Sequence, residues 1–217
     1  MILNLFIFTS YYILILISIL GYGLFFFKLL KIRFDSGNFG YAGLFGIYIL
    51  IVYSYLSNLI IAHTELHNLA ILFFGLILFI FLIKKYSECK KEIIFTLIVF
   101  ILLFCALFQF KNHDDFSYYH FPYTYYLTQQ SFYLGVGHFN HGFRTPSSIF
   151  YINSLFYLPF AKFYLFNFFS IFILGFANII LLKKVHNYFK FLKNKNIQLN
   201  FVNFLSLLSF IFINIFF

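Results

Sequence analysis

The chain has 217 residues, 63% of them hydrophobic and 10% charged, with a formal net charge of +9. Soluble domains carry roughly 45–50% apolar and about 25% charged residues, so a water-soluble fold of this size could not cover so much apolar surface. Disorder is excluded as well, because 26% of the chain is aromatic and disordered chains are poor in such residues.

The composition is that of an integral membrane protein. Phe is abundant, Lys far outnumbers Arg and Trp is missing, a pattern that fits an A/T-rich coding sequence, so aromatic abundance alone carries little functional weight. The Lys clusters fall between apolar runs, where they set membrane topology; they do not form a nucleic-acid-binding surface. Cys89 lies in a Lys-rich loop and Cys105 in an apolar run, placements that indicate neither a disulfide nor a pair of metal ligands.

In chain order, Met1 to Phe27 is an uncharged apolar run long enough to cross a bilayer core of about 30 Å. It lacks a basic start and a small-residue cleavage site, so it reads as a retained helix and not a signal peptide. A second span is expected from about Gly40 to Ala62. Its Gly40, Gly43 and Gly46 would let a neighbouring helix approach closely. A turn at His63–Asn68 leads to a third span, Leu69 to Ile83, and a fourth covers Ile93 to Phe110.

The apolar stretch 147–182 would be about 54 Å long as one helix, too long for one crossing. Pro159 and Lys162 divide it, since proline removes a helix hydrogen bond and a lysine in mid-bilayer is costly. Phe163 to Leu182 is therefore expected as the fifth span, with Ser147 to Leu158 as an interfacial or re-entrant helix. A sixth span begins at Phe201 and is incomplete, because the chain stops at Phe217 without a polar tail and so reads as a fragment.

Charge sets the orientation. Segments 28–39, 84–92 and 183–200 hold three, four and five Lys or Arg, against none in 63–68 and two in 111–148. The basic loops are then cytoplasmic and the amino terminus is outside. The expected fold is an all-α polytopic transmembrane helix bundle of about six spans, with an external loop bearing amphipathic interfacial helices. Residues 1–110 form four amino-terminal transmembrane helices, 111–160 the external loop, and 161–217 helices five and six. A bacterial inner membrane, with the active face external, is the expected location.

Segment 111–148 gathers two of the six acidic residues and four of the seven histidines. Asp114 and Asp115 follow the outer end of span four, and Phe121, Tyr125, Thr128 and Phe132 repeat at helical spacing, as in a helix lying among headgroups. A carboxylate there suits a general base for a sugar or lipid hydroxyl, or a ligand for a divalent cation. The competing reading makes Asp115 a helix cap.

His113, His120, His138 and His141 lack a recognised zinc spacing and read as solvated or hydrogen-bonded loop histidines. Gly135 and Gly137 supply a turn. Arg144 precedes a helix start at Thr145-Pro146-Ser147-Ser148, which makes either a phosphate clamp or a headgroup anchor.

These residues in this order resemble the first external loop of GT-C glycosyltransferases. More narrowly, the chain is similar to an uncharacterised group of bacterial polytopic envelope proteins with extra spans before that loop. Their segment reads Asp-x-x-Ser-Tyr-Tyr, a helix, then Gly-x-x-x-Gly-Leu-x-Asn. This chain has Asp114, Ser117, Tyr118 and Tyr119, then Gly135, Gly137 and Asn140, with a different glycine spacing.

The resemblance implies the amino-terminal part of an enzyme that moves a sugar from a polyprenyl-phosphate donor to an envelope glycan or lipid. Asp114 or Asp115 would be the base or the metal ligand, with Asp114 matching the narrower form and Asp115 the commoner Asp-Glu-x-Tyr form, whose Glu is absent here. Arg144, with His113 or His120, would neutralise the donor phosphate, and Tyr118, Tyr119 and Tyr123 would stack on sugar. The implied partners are the lipid bilayer and the lipid-linked donor, with no nucleic acid; the only cofactor implied is a divalent cation. An envelope polysaccharide polymerase or ligase and a non-catalytic membrane scaffold subunit are the alternatives. A transporter would place ionisable groups within its spans, and these spans hold none.

Overall fold

In lipid, each backbone N–H and C=O must find its partner within its own segment, so long apolar runs free of proline fold as helices. The computed structural model describes residues 2–32, 38–84, 90–108, 114–193 and 201–216, and these form helices and turns with no β-strand. The helices are α1 (Ile2–Leu29), α2 (Asn38–Asn58), α3 (Glu65–Ile83), α4 (Lys90–Phe104), α5 (Phe121–Gln129), α6 (Ser148–Ser154), α7 (Phe168–Lys193) and α8 (Phe201–Phe216).

Four helical stretches among the described residues are long and apolar enough to cross a membrane: Leu3–Leu29, Phe39–Asn58, Glu65–Ile83 and Phe163–His186. The sequence led us to expect six. The difference has a geometric cause: α4 has 15 residues before the chain tightens into a 3₁₀ turn at Cys105–Phe108, and α8 has 16. At 1.5 Å per residue each reaches only about 23 Å.

Two boundaries also move. α3 begins at Glu65, not Leu69, because the Thr64 hydroxyl accepts from the His67 N–H and Glu65 favours the positive helix start. The expected helix at 147–158 contracts to α6, capped by Ser147, and the chain then turns before α7.

Packing fixes the helix directions. Gly23 faces Ala42 and Gly46 faces Ile19, so α1 and α2 are antiparallel; a Cβ at Gly23 or Gly46 would collide with the facing backbone carbonyl. Gly75 sits against Ser18 and Gly21, which sets α3 parallel to α1. Gly40 and Gly43 admit Ile180 and Phe176 of α7, and Gly175 of α7 admits the Phe100 ring of α4. Small residues at these crossings are what allow helices to approach without a hydrophobic driving force.

Several polar groups inside the bundle are paired with backbone or with each other, whereas the Thr96 hydroxyl of α4 is buried without a partner. The Tyr12 hydroxyl donates to Phe100 O and the Tyr22 hydroxyl to Ile71 O, each at 2.8 Å, while Asn178 and Asn214 exchange amide hydrogen bonds at 2.9 Å. Glu92 of α4 pairs with Lys183 of α7.

The alternation of directions sorts the connections. Lys28, Lys31, Lys84, Lys91, Lys183 and Lys184 gather at one end of the bundle. The short 59–64 connection and the long segment 114–167 lie together at the other, joined by the bonds Phe132 N–H to Asn58 O (2.7 Å) and His63 N–H to Leu127 O (3.0 Å).

Candidate functional site

Segment 114–167 folds over its end of the bundle around a small core of its own. Tyr123, Leu127, Val136, Phe150 and Tyr151 are buried together, with Tyr55, Tyr119, Tyr126 and Phe143 packed against them. α5 is placed by α2: Asn58 Nδ2 donates to Leu127 O at 3.1 Å. Gly135 turns the chain at φ +87°, the left-handed region that glycine enters without steric cost. Asn140 then caps the next turn by accepting from the Gly142 N–H at 2.8 Å.

Between this segment and the ends of α4, α7 and α8 lies a cavity of about 1060 Å³. Its loop side presents Tyr119, His120, Thr124, Ser147, Ser148 and Asn153. Its bundle side presents Leu103 of α4 and Leu107 of the 3₁₀ turn after it, Ile171 and Leu174 of α7, and the polar Asn167, Ser170 and Asn214. The loop side is therefore rich in hydroxyls, amides and aromatic faces, and the bundle side mixes aliphatic side chains with three polar ones. Asn153 is 7% exposed, and its amide oxygen is buried without a hydrogen-bond partner.

The residues singled out from the sequence are distributed unevenly about this cavity. Tyr119 and His120 line it, in a π-helical turn at Phe116–His120 that leads into α5, and the His120 ring lies 5.1 Å from that of Phe150. Asp115 precedes the turn and makes no cap hydrogen bond; the Tyr119 hydroxyl points to it at 3.5 Å. Asp114 and Tyr118 are exposed and do not line the cavity.

Tyr123 is 1% exposed, stacked on Phe143 at 4.9 Å with its hydroxyl 3.5 Å from that of Tyr151. Burial drives its phenol far above the usual range, with Tyr151 adding to the shift. Its ring is engaged within the segment's core and gives no free face. Arg144 is exposed, and its Nε donates to Gly137 O at 3.2 Å, closing the glycine turn. His113 lies outside the described residues. Among the described residues no group of three or more His, Cys, Asp or Glu could hold a metal ion.

A second polar cluster, at His63–Asn68, was not singled out in the sequence. His63 is 0% exposed, with Nδ1 2.6 Å from Ser154 Oγ and Nε2 2.9 Å from Ser57 Oγ. The Ser154 hydroxyl donates to Tyr151 O at 2.6 Å, so it accepts from His63 Nδ1–H, and Nε2 accepts from Ser57. Asn68 Nδ2 donates to His63 O, Ser154 O and Tyr157 O at 2.8–3.0 Å, leaving its oxygen to accept from His67 Nδ1–H at 2.9 Å. His67 Nε2 in turn accepts from the Tyr53 hydroxyl at 2.8 Å.

The two imidazoles stack at 5.2 Å. Burial, with His67 alongside, pushes His63 down to about 3, so its ring is neutral. The available signal was the i, i+4 spacing of His63 and His67 next to Asn68. That spacing places both rings on one side of a helix start.

Comparison with protein-family models, curated proteins and solved structures finds no match to the chain. The fold defines the class by itself: an all-helical integral membrane protein with a polar and aromatic cavity at one end of its bundle.

Proposed function

We propose that the protein is a membrane glycosyltransferase, moving a sugar from a polyprenyl-phosphate carrier to a hydroxyl of an envelope glycan or lipid. The observation that carries this reading is the two-sided cavity. A volume of about 1060 Å³ is slightly above the usual range of small-ligand sites, about 300–1,000 Å³. Its hydroxyl, amide and aromatic part suits a sugar, and its aliphatic part between α4 and α7 suits a hydrocarbon tail.

In this reading the acceptor oxygen attacks the anomeric carbon, the carrier phosphate leaves, and a carboxylate takes the acceptor proton. Asp115 is the better placed base, because Tyr119 joins it to the cavity wall. His120 would donate to the departing phosphate. A divalent cation, where the reaction uses one, would take Asp114 and Asp115 as oxygen ligands.

The proposed topology has six crossings, with α4 and its 3₁₀ turn and α8 as the two shorter ones. Loops rich in Lys and Arg favour the cytoplasm. The lysine-bearing end is then cytoplasmic, and the site and the amino terminus face outward from a bacterial inner membrane.

The test is transfer from a radiolabelled polyprenyl-phosphate sugar by the purified protein. Asp115→Ala should lower turnover by about 10²–10⁴-fold, the usual contribution of a general base, and Asp114→Ala by less. Undiminished transfer by the double variant removes the assignment. Consumption of a preassembled lipid-linked oligosaccharide instead of a single-sugar carrier would make the enzyme a polymerase or ligase.

A further inference from the structure

The chain between α6 and α7 turns through Leu158–Lys162, where Lys162 N–H donates to Leu158 O at 2.7 Å and Ala161 N–H to Pro159 O at 2.7 Å. Two residues of this tight turn, Phe160 (φ +65°) and Lys162 (φ +47°), hold left-handed backbone conformations that residues with a Cβ adopt only at a steric cost. The Phe160 side chain is nonetheless 84% exposed, so burial within the protein does not offset that cost. The turn runs straight into Phe163–His186, one of the four membrane-crossing stretches, and Phe163 and Tyr164 at its start are exposed too.

We propose that the Leu158–Lys162 turn is a membrane-interface anchor, with Phe160 inserted among the lipid headgroups and upper acyl chains. Three features on one short segment favour lipid as the occupant. The turn is joined directly to a stretch long and apolar enough to cross a membrane. Aromatic side chains, Phe160, Phe163 and Tyr164, cluster where a helix enters the bilayer, the level at which aromatic belts form. Lys162 stands exposed among them, able to reach phosphate oxygens while its stem lies along the apolar layer.

The anchor also bears on the cavity. Phe163 stands edge-on to Phe121 at 5.5 Å, and Phe121 is part of the cavity wall. Holding the turn at headgroup depth holds that wall beside the lipid layer, whichever reaction the cavity serves.

The chain contains no tryptophan, so a single Phe160→Trp substitution installs an unambiguous depth probe. The full chain carrying it is reconstituted into phosphatidylcholine vesicles containing lipids brominated either near the glycerol or near the chain end. Phe74→Trp, on an exposed position midway along α3, serves as the deep reference. The anchor predicts greater loss of Phe160→Trp emission with the shallow bromines than with the deep ones, the reverse order for Phe74→Trp, and little quenching of position 160 by aqueous iodide. Emission quenched by iodide and untouched by either bromolipid overturns the proposal by placing the ring in water. Protection from both overturns it by placing the ring against protein, such as a second copy. Should Phe160→Trp fail to reconstitute, Tyr164→Trp reads the same depth and carries the same outcomes.

Discussion

Asn153 and Ser154 are neighbours in the chain, both buried at the same end of the bundle, yet they belong to opposite kinds of polar environment. Ser154 sits in a network where the donors and acceptors of His63, His67 and Asn68 are matched across α2, α3 and α6. Asn153 lines the cavity with its amide oxygen unpartnered. A completed network of buried polar groups rigidifies and specifies a structure. An unpaired group beside a cavity costs stability unless water or a bound molecule supplies the missing partner. The contrast assigns the clamp around His63 to the scaffold and, on the proposed function, the wall around Asn153 to the site.

The largest effect that would break this contrast is expected at Asn68. Asn68→Leu removes one amide that donates to three carbonyls, one in its own turn and two at and just after the end of α6. Each buried group left without a partner costs about 1–3 kcal/mol, so the variant should lose about 3 kcal/mol or more and unfold at a clearly lower temperature in detergent. An unchanged midpoint would mean the network does not hold segment 114–167 on the bundle.

A smaller effect tests the clamp by pH. His63 has its folded pKa pushed down to about 3 from an ordinary 6.5, so between those values the unfolded chain binds a proton that the folded chain does not. Stability from this residue is then level above about pH 6.5 and falls progressively as pH drops toward 3. His67 stacks on the ring and the hydroxyls of Ser57 and Ser154 meet its nitrogens. None of these partners is a carboxylate that would stabilise the charged form. Unfolding midpoints of wild type should fall with acidification below about pH 6.5, and His63→Gln, weaker overall, should show a flatter slope over the same window. Parallel slopes would place the acid sensitivity elsewhere.

Much of the bundle was legible in the sequence because lipid imposes a simple rule, that apolar length becomes helix. The glycines of α2 were read correctly as contact points, since Gly40 and Gly43 receive α7 and Gly46 receives α1. The break at Pro159 and Lys162 was also read as such. What escaped was the convergence of distant segments. His63 and Asn68 looked like a featureless turn because their partners, Ser154 and Tyr157, lie some ninety residues on. Asn153 was hidden in the apolar run Ile149–Leu158. Tyr123, read as a face for sugar, is taken up by Phe143 and Tyr151, a packing choice that no spacing within Asp114–Tyr126 reveals.

The smallest expected change in stability is the most telling for the contrast. Asn153→Leu keeps the branched shape and heavy-atom count of asparagine and replaces an amide whose oxygen has no partner. Removing a buried unsatisfied group is neutral or favourable by about 1 kcal/mol, so the midpoint should stay level or rise slightly. The same substitution alters a cavity wall, so on the proposed function any thermal stabilisation of the wild type by a short-chain polyprenyl-phosphate sugar should diminish or vanish in the variant. Unfolding midpoints with and without that lipid separate the two effects. A loss of intrinsic stability as large as that of Asn68→Leu would show that Asn153 is scaffold after all, and the distinction between the two neighbours would collapse.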